Sequence, residues 1–426
     1  MSDQIAFSLD AEFAAELDRA DPLRRFRNEF VISDPDLIYL DGNSLGRMPR
    51  ATAERTRTLV AHEWGVGLVR SWGNGWFDAP AAIGAKIARL IGARPDEVVV
   101  ADSTSVNLFK LAIAALCARP NRRTIVTDEF NFPSDLYVLQ GAVTLLGQGH
   151  HIEMARSPDT VHMPNEVITK CIDSDTALVS LTHVAFKSGY LYDMQSITAA
   201  AQDAGALVLW DLSHSVGAVP LELKRDNVDL AVGCSYKYVN GGPGAPAFIY
   251  VRRDLQTELR NPISGWMGQQ APFNFELHYQ PQSDIRRFLS GTPPMISTAA
   301  VEAGADLLLE AGMEPLREKS LLQTEYLIYL FDRKLAPLGF TLGSPRAGSQ
   351  RGSHVSIRHP DGLRIDKAMI HAMNVVPDFR APDNIRLGIT PLYTTFREIH
   401  TAITRIERVV ERRLYEQFSD DAPTVT

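Results

Sequence analysis

The sequence predicts an α/β protein: a large domain on a mostly parallel β-sheet, followed by a smaller α+β domain. Three observations carry this. Short apolar, β-branched runs recur at 97–100, 124–127, 176–181, 206–210, 230–233 and 247–251, with helix-length segments between them. They lack polar alternation, as strands covered on both faces require. At 426 residues the chain also exceeds the size at which one hydrophobic core keeps growing, so two unequal domains are expected.

In chain order, Leu9, Phe13 and Leu17 recur at helical spacing, so the first twenty residues read as an amphipathic helix that docks on the body or on a partner subunit. After Thr292-Pro293-Pro294 comes a long helical region to about residue 335. Strand-like pieces follow at 352–358 and 384–389, then a last amphipathic helix with Phe396, Ile399, Ile403, Ile406 and Val410 on one face. The expected division is 1–60 for an N-terminal segment joining the small domain, 61–295 for the large domain, 296–416 for the small domain, and 417–426 for a flexible tail.

Apolar residues at 45%, charged residues at 22% and a net charge of -8 describe an ordinary globular chain without the basic stripe of a nucleic-acid binder. Basic clusters at 24–27 and at Arg412 and Arg413 are expected on solvated helix faces. Cys117, Cys171 and Cys234 have neither metal-ligand nor disulfide spacing, which suits a reducing compartment. The opening residues MSDQIAFSLDAEFAAELD show no basic stretch before an apolar run, and no apolar run approaches 18 residues. A cytoplasmic protein, away from membranes, is expected.

The chemistry centres on Lys237, in Ser235-Tyr236-Lys237-Tyr238-Val239-Asn240-Gly241-Gly242-Pro243-Gly244, directly after the run 230–233. An amine that forms a Schiff base must react unprotonated, and burial or a nearby cation lowers an amine's pKa. Upstream, the run 206–210 ends in Asp211, with His214 three residues on. A carboxylate at the C-terminal end of a parallel strand lies where such sheets place ligands. Pyridoxal 5'-phosphate (PLP) needs an acid beside its ring nitrogen, because the protonated ring is the electron sink; a helix N-cap is the competing reading of Asp211. Thr104 and Ser105 precede the helical run LFKLAIAALCA. Hydroxyls and free N–H groups at a helix start favour a phosphate, although the same residues make a good capping sequence. Phe132, in Phe130-Asn131-Phe132-Pro133-Ser134-Asp135, follows a strand and suits stacking on a cofactor ring or plugging a core.

Together with Tyr39-Leu40-Asp41-Gly42-Asn43-Ser44-Leu45-Gly46 and Gly291-Thr292-Pro293-Pro294, these motifs resemble the kynureninase family over about residues 20–415. The resemblance implies an aminotransferase-like PLP-dependent (fold type I) large domain with a seven-stranded sheet, and a homodimer with active sites at the subunit interface. It implies PLP as a Schiff base on Lys237 and hydrolysis of L-kynurenine to anthranilate and L-alanine. By the same resemblance Thr104, Ser105, Phe132, Pro133, Ser134, Asp135, Thr182, Asp211, His214 and Tyr236 match cofactor-binding positions. Trp266 and Thr292 match positions supplied by the neighbouring subunit. Arg386 matches the arginine that grips the substrate carboxylate, Asn43, Ser44, Trp64 and Thr292 match substrate-binding positions, and Lys237, Tyr236 and Asp211 match catalytic ones. Trp64 and Thr292 stand where animal members carry His and Asn, which implies preference for unsubstituted kynurenine over its 3-hydroxy form.

Alternatives are a class V aminotransferase, which would retain the lysine, acid and arginine, and a catalytically silent PLP-fold regulator. A cysteine desulfurase needs a nucleophilic cysteine in the C-terminal half, where this chain has none beyond Cys234. A metal hydrolase on His150, His151 or His183 lacks acidic partners at ligand spacing, so these read as surface or strand-end histidines, and no metal is expected.

Overall fold

The computed structural model describes residues 6–421. The N-terminal helix α1 (Ala11–Ala20) buries Ala14 and Ala15, while Phe13 and Leu17 pack at the edge of the smaller core and Leu9 stays exposed. A two-residue strand β1 (Ile38–Tyr39) and helix α2 (Arg50–Thr58) follow. Residues 59–67 then form a π-helix carrying Trp64, a rare geometry that concentrates at functional sites. Its Glu63 is pinned by Trp76 Nε1 at 2.6 Å and by Arg55 at 2.6 Å.

Helix α3 (Ala79–Leu90) leads into the large domain. Its sheet comprises β2 (Val98–Ala101), β3 (Thr124–Asp128), β4 (His151–Ala155), β5 (Thr176–Thr182), β6 (Leu207–Asp211), β7 (Leu230–Gly233) and β8 (Ala247–Val251). The spatial order is β2-β8-β7-β6-β5-β3-β4. Strand β8 runs antiparallel to both neighbours and all other pairs are parallel. All six runs read from the sequence are strands. The seventh, β4, is an edge strand whose residues alternate between exposed and half-buried before Ala155, so a search for continuous apolar runs passes over it. Helices α4 (Thr104–Ala118), α5 (Pro133–Leu146), α6 (Asn165–Thr169) and α7 (Met194–Asp203) cover the sheet, which is why β5 to β8 are buried along their whole lengths.

The long helical region is two helices, α8 (Met295–Ala311) and α9 (Met313–Lys334), broken at Gly312 with φ of 81°. Val301, Ala305 and Leu308 of α8 belong to the large-domain core. The second core begins with Tyr326 on α9 and gathers strands β9 (Thr341–Leu342) and β10 (His354–Arg358), helix α10 (Gly362–Met373), strands β11 (Val375–Val376), β12 (Asp378–Arg380) and β13 (Asn384–Gly388), and helix α11 (Phe396–Glu411). On this packing we propose that the domain division falls within α9, between Leu316, which still packs in the first core, and Tyr326, where 296 was expected. Ile38 and Leu40 join the second core, as expected of the N-terminal segment, but Leu23, Phe26 and Phe30 pack in the first. The antiparallel sheet β12-β13-β10-β9 forms the small domain's face. On α11 the expected apolar face packs in this core, with Val409 buried and Val410 partly buried at its end.

Residues 418–421, expected within a flexible tail, lie on α10, where Arg364 and Lys367 bond the carbonyls of Phe418, Ser419 and Asp421. The remainder of that tail, 422–426, lies outside the described residues. Arg27 is not on a solvated face: it makes a two-point bond to Glu398 at 2.8 and 2.9 Å. His150 is buried rather than on the surface. Among the described residues no helix is long and apolar enough to cross a membrane, and no cluster of three or more His, Cys, Asp or Glu is placed to hold a metal.

Gly304 of α8 lies against the backbone of the lysine-bearing loop, and a methyl there would overlap the Val239 carbonyl. Gly304→Ala is therefore expected to lower stability by about 1–3 kcal/mol, read as a shift of the urea unfolding midpoint.

Candidate active site

The C-terminal ends of β6 and β7 and the N-termini of α4 and α5 converge on a cavity of about 200 Å³. Its lining includes Asn43, Ser44, Thr104, Ser105, Phe132, Ser134, Asp135, Asp211, His214, Tyr236, Lys237 and Arg386, all expected, together with Ser213 and Arg380, which were not. Each lies there for a local reason. The turn from β2 into α4 passes through Asp102 with φ of 42°, and the Ser103 hydroxyl caps α4 by accepting from Val106 N at 3.3 Å. The cap is thus Ser103, which leaves Thr104 and Ser105 on the cavity. Ser105 Oγ lies 2.9 Å from Ser134 Oγ at the start of α5, joining two helix N-termini into one donor-rich wall. Pro133 occupies the first turn of α5, where a missing N–H does no harm.

Asp211 ends β6 and is buried; it accepts from Ser213 N at 2.9 Å and Ser213 Oγ at 2.6 Å. Burial pushes its carboxyl up, while the Ser213 hydroxyl and the Lys237 charge pull it back. It does not cap a helix. Asp135 is buried with Oδ2 unpartnered; burial and the neighbouring Asp211 charge push its carboxyl well above the usual range. Lys237 Nζ lies 3.3 Å from His214 Nε2 and 6.0 Å from the Tyr236 ring centre. Burial and the nearby Lys237 and Arg386 hold His214 well below its ordinary pKa, so its ring is neutral. The Tyr236 hydroxyl is pushed up by Cys234 and by burial. Cys234 itself is buried, its thiol facing Ser213 O at 3.8 Å, which agrees with a packing role beneath the loop.

The small domain closes one side. Gly46 N donates to Tyr236 O at 2.8 Å, and a Cβ at Gly46 would collide with Lys237 O, so the motif 39–46 is docked on the lysine loop. Arg386 on β13 donates to Phe186 O at 2.7 Å and Ser44 Oγ at 3.0 Å, and pairs with Asp378. The β12/β13 register sets Asp378 opposite Arg386. That hairpin contact pairs residues distant in any sequence motif; the only signal for it was alternation of charges at 378, 380 and 386.

Five expected site residues are outside the cavity lining, the first being Pro133, which sits in the first turn of α5 between Phe132 and Ser134. Thr182 is buried with its hydroxyl donating to Val184 O at 3.1 Å, outside the cavity lining. Trp64, Trp266 and Thr292 lie on the exposed side of the large domain and do not line their own chain's cavity. Phe132 packs edge-on to Phe186 at 5.3 Å while keeping one side exposed.

The residues present fit PLP. An unpartnered buried carboxylate oxygen, a second buried acid at a strand end, a lysine and two adjacent helix N-termini supply partners for a pyridinium, an aldehyde carbon and a phosphate.

A family model for the kynureninase C-terminal domain matches residues 316–406. The kynureninase of Pseudomonas fluorescens is 44% identical over 406 residues, covering 94% of this chain and 95% of that one. The kynureninase of Burkholderia mallei (strain SAVP1) is 42% identical over 405 residues, with the same coverage. Among solved structures, the apo cysteine desulfurase of Thermococcus onnurineus NA1 matches with a TM-score of 0.76 at 19% identity, over 91% of this chain and 98% of that one. A C-DES mutant with glycine covalently linked to its PLP cofactor matches with 0.78 at 17% identity, over 88% and 97%. These two show the fold, that of PLP-dependent fold type I proteins.

Near Arg380, Asp366 on α10 is buried and pushed up to about 7 by burial and by the charges of Asp378 and Asp41. A folded-state value above the ordinary 3.8 means stability is lost as pH rises from about 4 through 7. Asp366→Asn is therefore expected to unfold at higher urea than the parent at pH 8, by on the order of 2 kcal/mol, and to differ little at pH 4.

Proposed function

The chain belongs to the kynureninase family, and from that premise we propose that it uses PLP to hydrolyse the Cβ–Cγ bond of L-kynurenine, yielding anthranilate and L-alanine. The observation that carries the reading is the single cavity in which Lys237, Asp211, Asp135, Tyr236 and Arg386 meet, in a chain 44% identical to a kynureninase over nearly its whole length.

Bound PLP supplies an electron sink that stabilises a carbanion at the substrate α-carbon. Lys237 holds the cofactor covalently between turnovers and, once free, takes and returns the proton at Cα. Asp211, kept ionisable by Ser213, holds a proton on the cofactor's ring nitrogen. The N-termini of α4 and α5, with Thr104, Ser105 and Ser134, bind the phosphate. Phe132 covers one ring face. Arg386 grips the substrate α-carboxylate and so orients the Cα–H bond. Tyr236, whose hydroxyl stays protonated, donates to the γ-carbonyl oxygen as water adds there. The water oxygen ends in the anthranilate carboxylate, and Cβ takes a proton to become the alanine methyl. Neutral His214 beside Lys237 adds no competing cation.

The protein acts as a homodimer in this reading. Trp64, Val66, Leu68 and Val69 on and after the π-helix are exposed, as are Trp266, Phe273 and Leu277, the last 97% exposed. Large apolar side chains in such groups mark a surface that a partner covers. That surface carries the residues expected to serve the neighbouring active site, including Trp64 and Thr292, to which we assign the preference for unsubstituted kynurenine. We place the protein in the cytoplasm, in keeping with its free cysteines.

PLP-loaded protein is expected to release fluorescent anthranilate from L-kynurenine without any keto-acid acceptor; no anthranilate would overturn the assignment. Lys237→Ala is expected to lose the visible absorbance of lysine-bound cofactor. Sedimentation is expected to give a dimer, and Trp64→Asp with Val69→Asp to shift it toward monomer with loss of activity.

A further inference from the structure

Every two-point fork that a guanidinium offers to a carboxylate uses a hydrogen on Nη2, the terminal nitrogen lying trans to Cδ. In Arg386, Nη2 donates to both Ser44 Oγ at 3.0 Å and Asp378, which are themselves hydrogen-bonded to each other at 2.6 Å. Nη1 is held by Phe186 O at 2.7 Å, and Nε is buried without a partner. Arg386 therefore meets a substrate carboxylate with its terminal nitrogens already shared among Phe186, Ser44 and Asp378.

A second arginine stands beside it. Arg380 lies two residues along β12 from Asp378, on the same face of the strand. Its Nη2 reaches Asp378 Oδ2 at 2.7 Å and its Nη1 donates to Phe379 O at 3.0 Å, while the side chain lines the cavity and stays 30% exposed. Asp378, fully buried, is thus shared between the two guanidiniums. Two cations around one carboxylate leave a surplus positive charge, the complement of one further carboxylate. Burial would raise Asp378, but Arg386 and Arg380 hold its carboxyl below the ordinary value. Asp41 and Asp366 also face these arginines, and burial with the Asp378 charge pushes each up to about 7, so the surplus holds below that pH.

We propose that Arg380 is a second substrate-binding residue, sharing the α-carboxylate with Arg386, and that Asp378 is the positioning residue that holds both arginines on the cavity. This rests on the reading that the carboxylate lies at Arg386. Substrate carboxylate and Asp378 then occupy opposite sides of a two-arginine bridge, and Ser44 keeps Arg386 in place through its bond to Asp378 at 2.6 Å.

The test uses PLP-loaded protein and two ligands, L-alanine and L-alaninamide, which lack the Cβ–Cγ bond that is cleaved and differ only at the α-carboxylate. Their affinities are measured by titration of the cofactor absorbance, alongside kcat and KM for L-kynurenine. Arg380→Gln is expected to reduce the preference for acid over amide by about tenfold or more, and to raise KM more than it lowers kcat. Arg380→Lys is expected to restore part of the preference, and Asp378→Asn to reduce it with both arginines in place. A wild-type preference retained by Arg380→Gln overturns the proposal. If Arg386→Gln then loses the preference, only the second arginine is wrong; if Arg386→Gln keeps it too, the Arg386 reading fails with it.

Discussion

A carboxylate buried at the end of a parallel strand is expensive to keep ionisable, and the centre of this protein is arranged around one. Asp211 lies 5% exposed at the end of β6, where desolvation favours its neutral form. Two bonds from Ser213 and the charge of Lys237 oppose that. A second buried acid, Asp135, has only the Lys237 charge to oppose burial and the Asp211 charge, so its carboxyl stays raised and its Oδ2 is unpartnered. The two acids, one lysine and a neutral histidine set the electrostatic character of the cavity before any substrate enters.

The remaining structure holds these groups in register. Lys237 sits on a loop rather than a strand, and that loop is clamped from two directions. Gly304 lets α8 approach its backbone from the large domain, and Gly46 lets the motif 39–46 approach from the small-domain side. Both contacts need a residue without a side chain. The β12/β13 hairpin brings Arg386 and Arg380 to the same cavity through Asp378, so the arginine pair and the lysine site are joined by the docking of one domain on the other.

Legibility in the sequence followed the physics of each feature. Strands buried on both faces announce themselves as apolar runs, and all six such runs are strands; β4, half-exposed at the sheet edge, does not. Asp211, Lys237, Thr104, Ser105 and Asp135 stood in local motifs and meet in one cavity. Asp378 and Arg380 were missed because their importance comes from pairing across a hairpin. Thr182 matched a family position, yet its hydroxyl turns to Val184. Gly312 breaks a helix that periodicity alone read as continuous.

The sequence by itself determined the strands, the lysine loop, the strand-end acid and the family, because each is written in short-range patterns of apolarity, glycine and charge. Only the tertiary structure decided which side chains share a cavity, which partners share the arginine donors, and which acid is left without a partner. Those properties depend on burial and on approach between residues hundreds of positions apart, such as Ser44 and Arg386, and no local pattern encodes the distance between them.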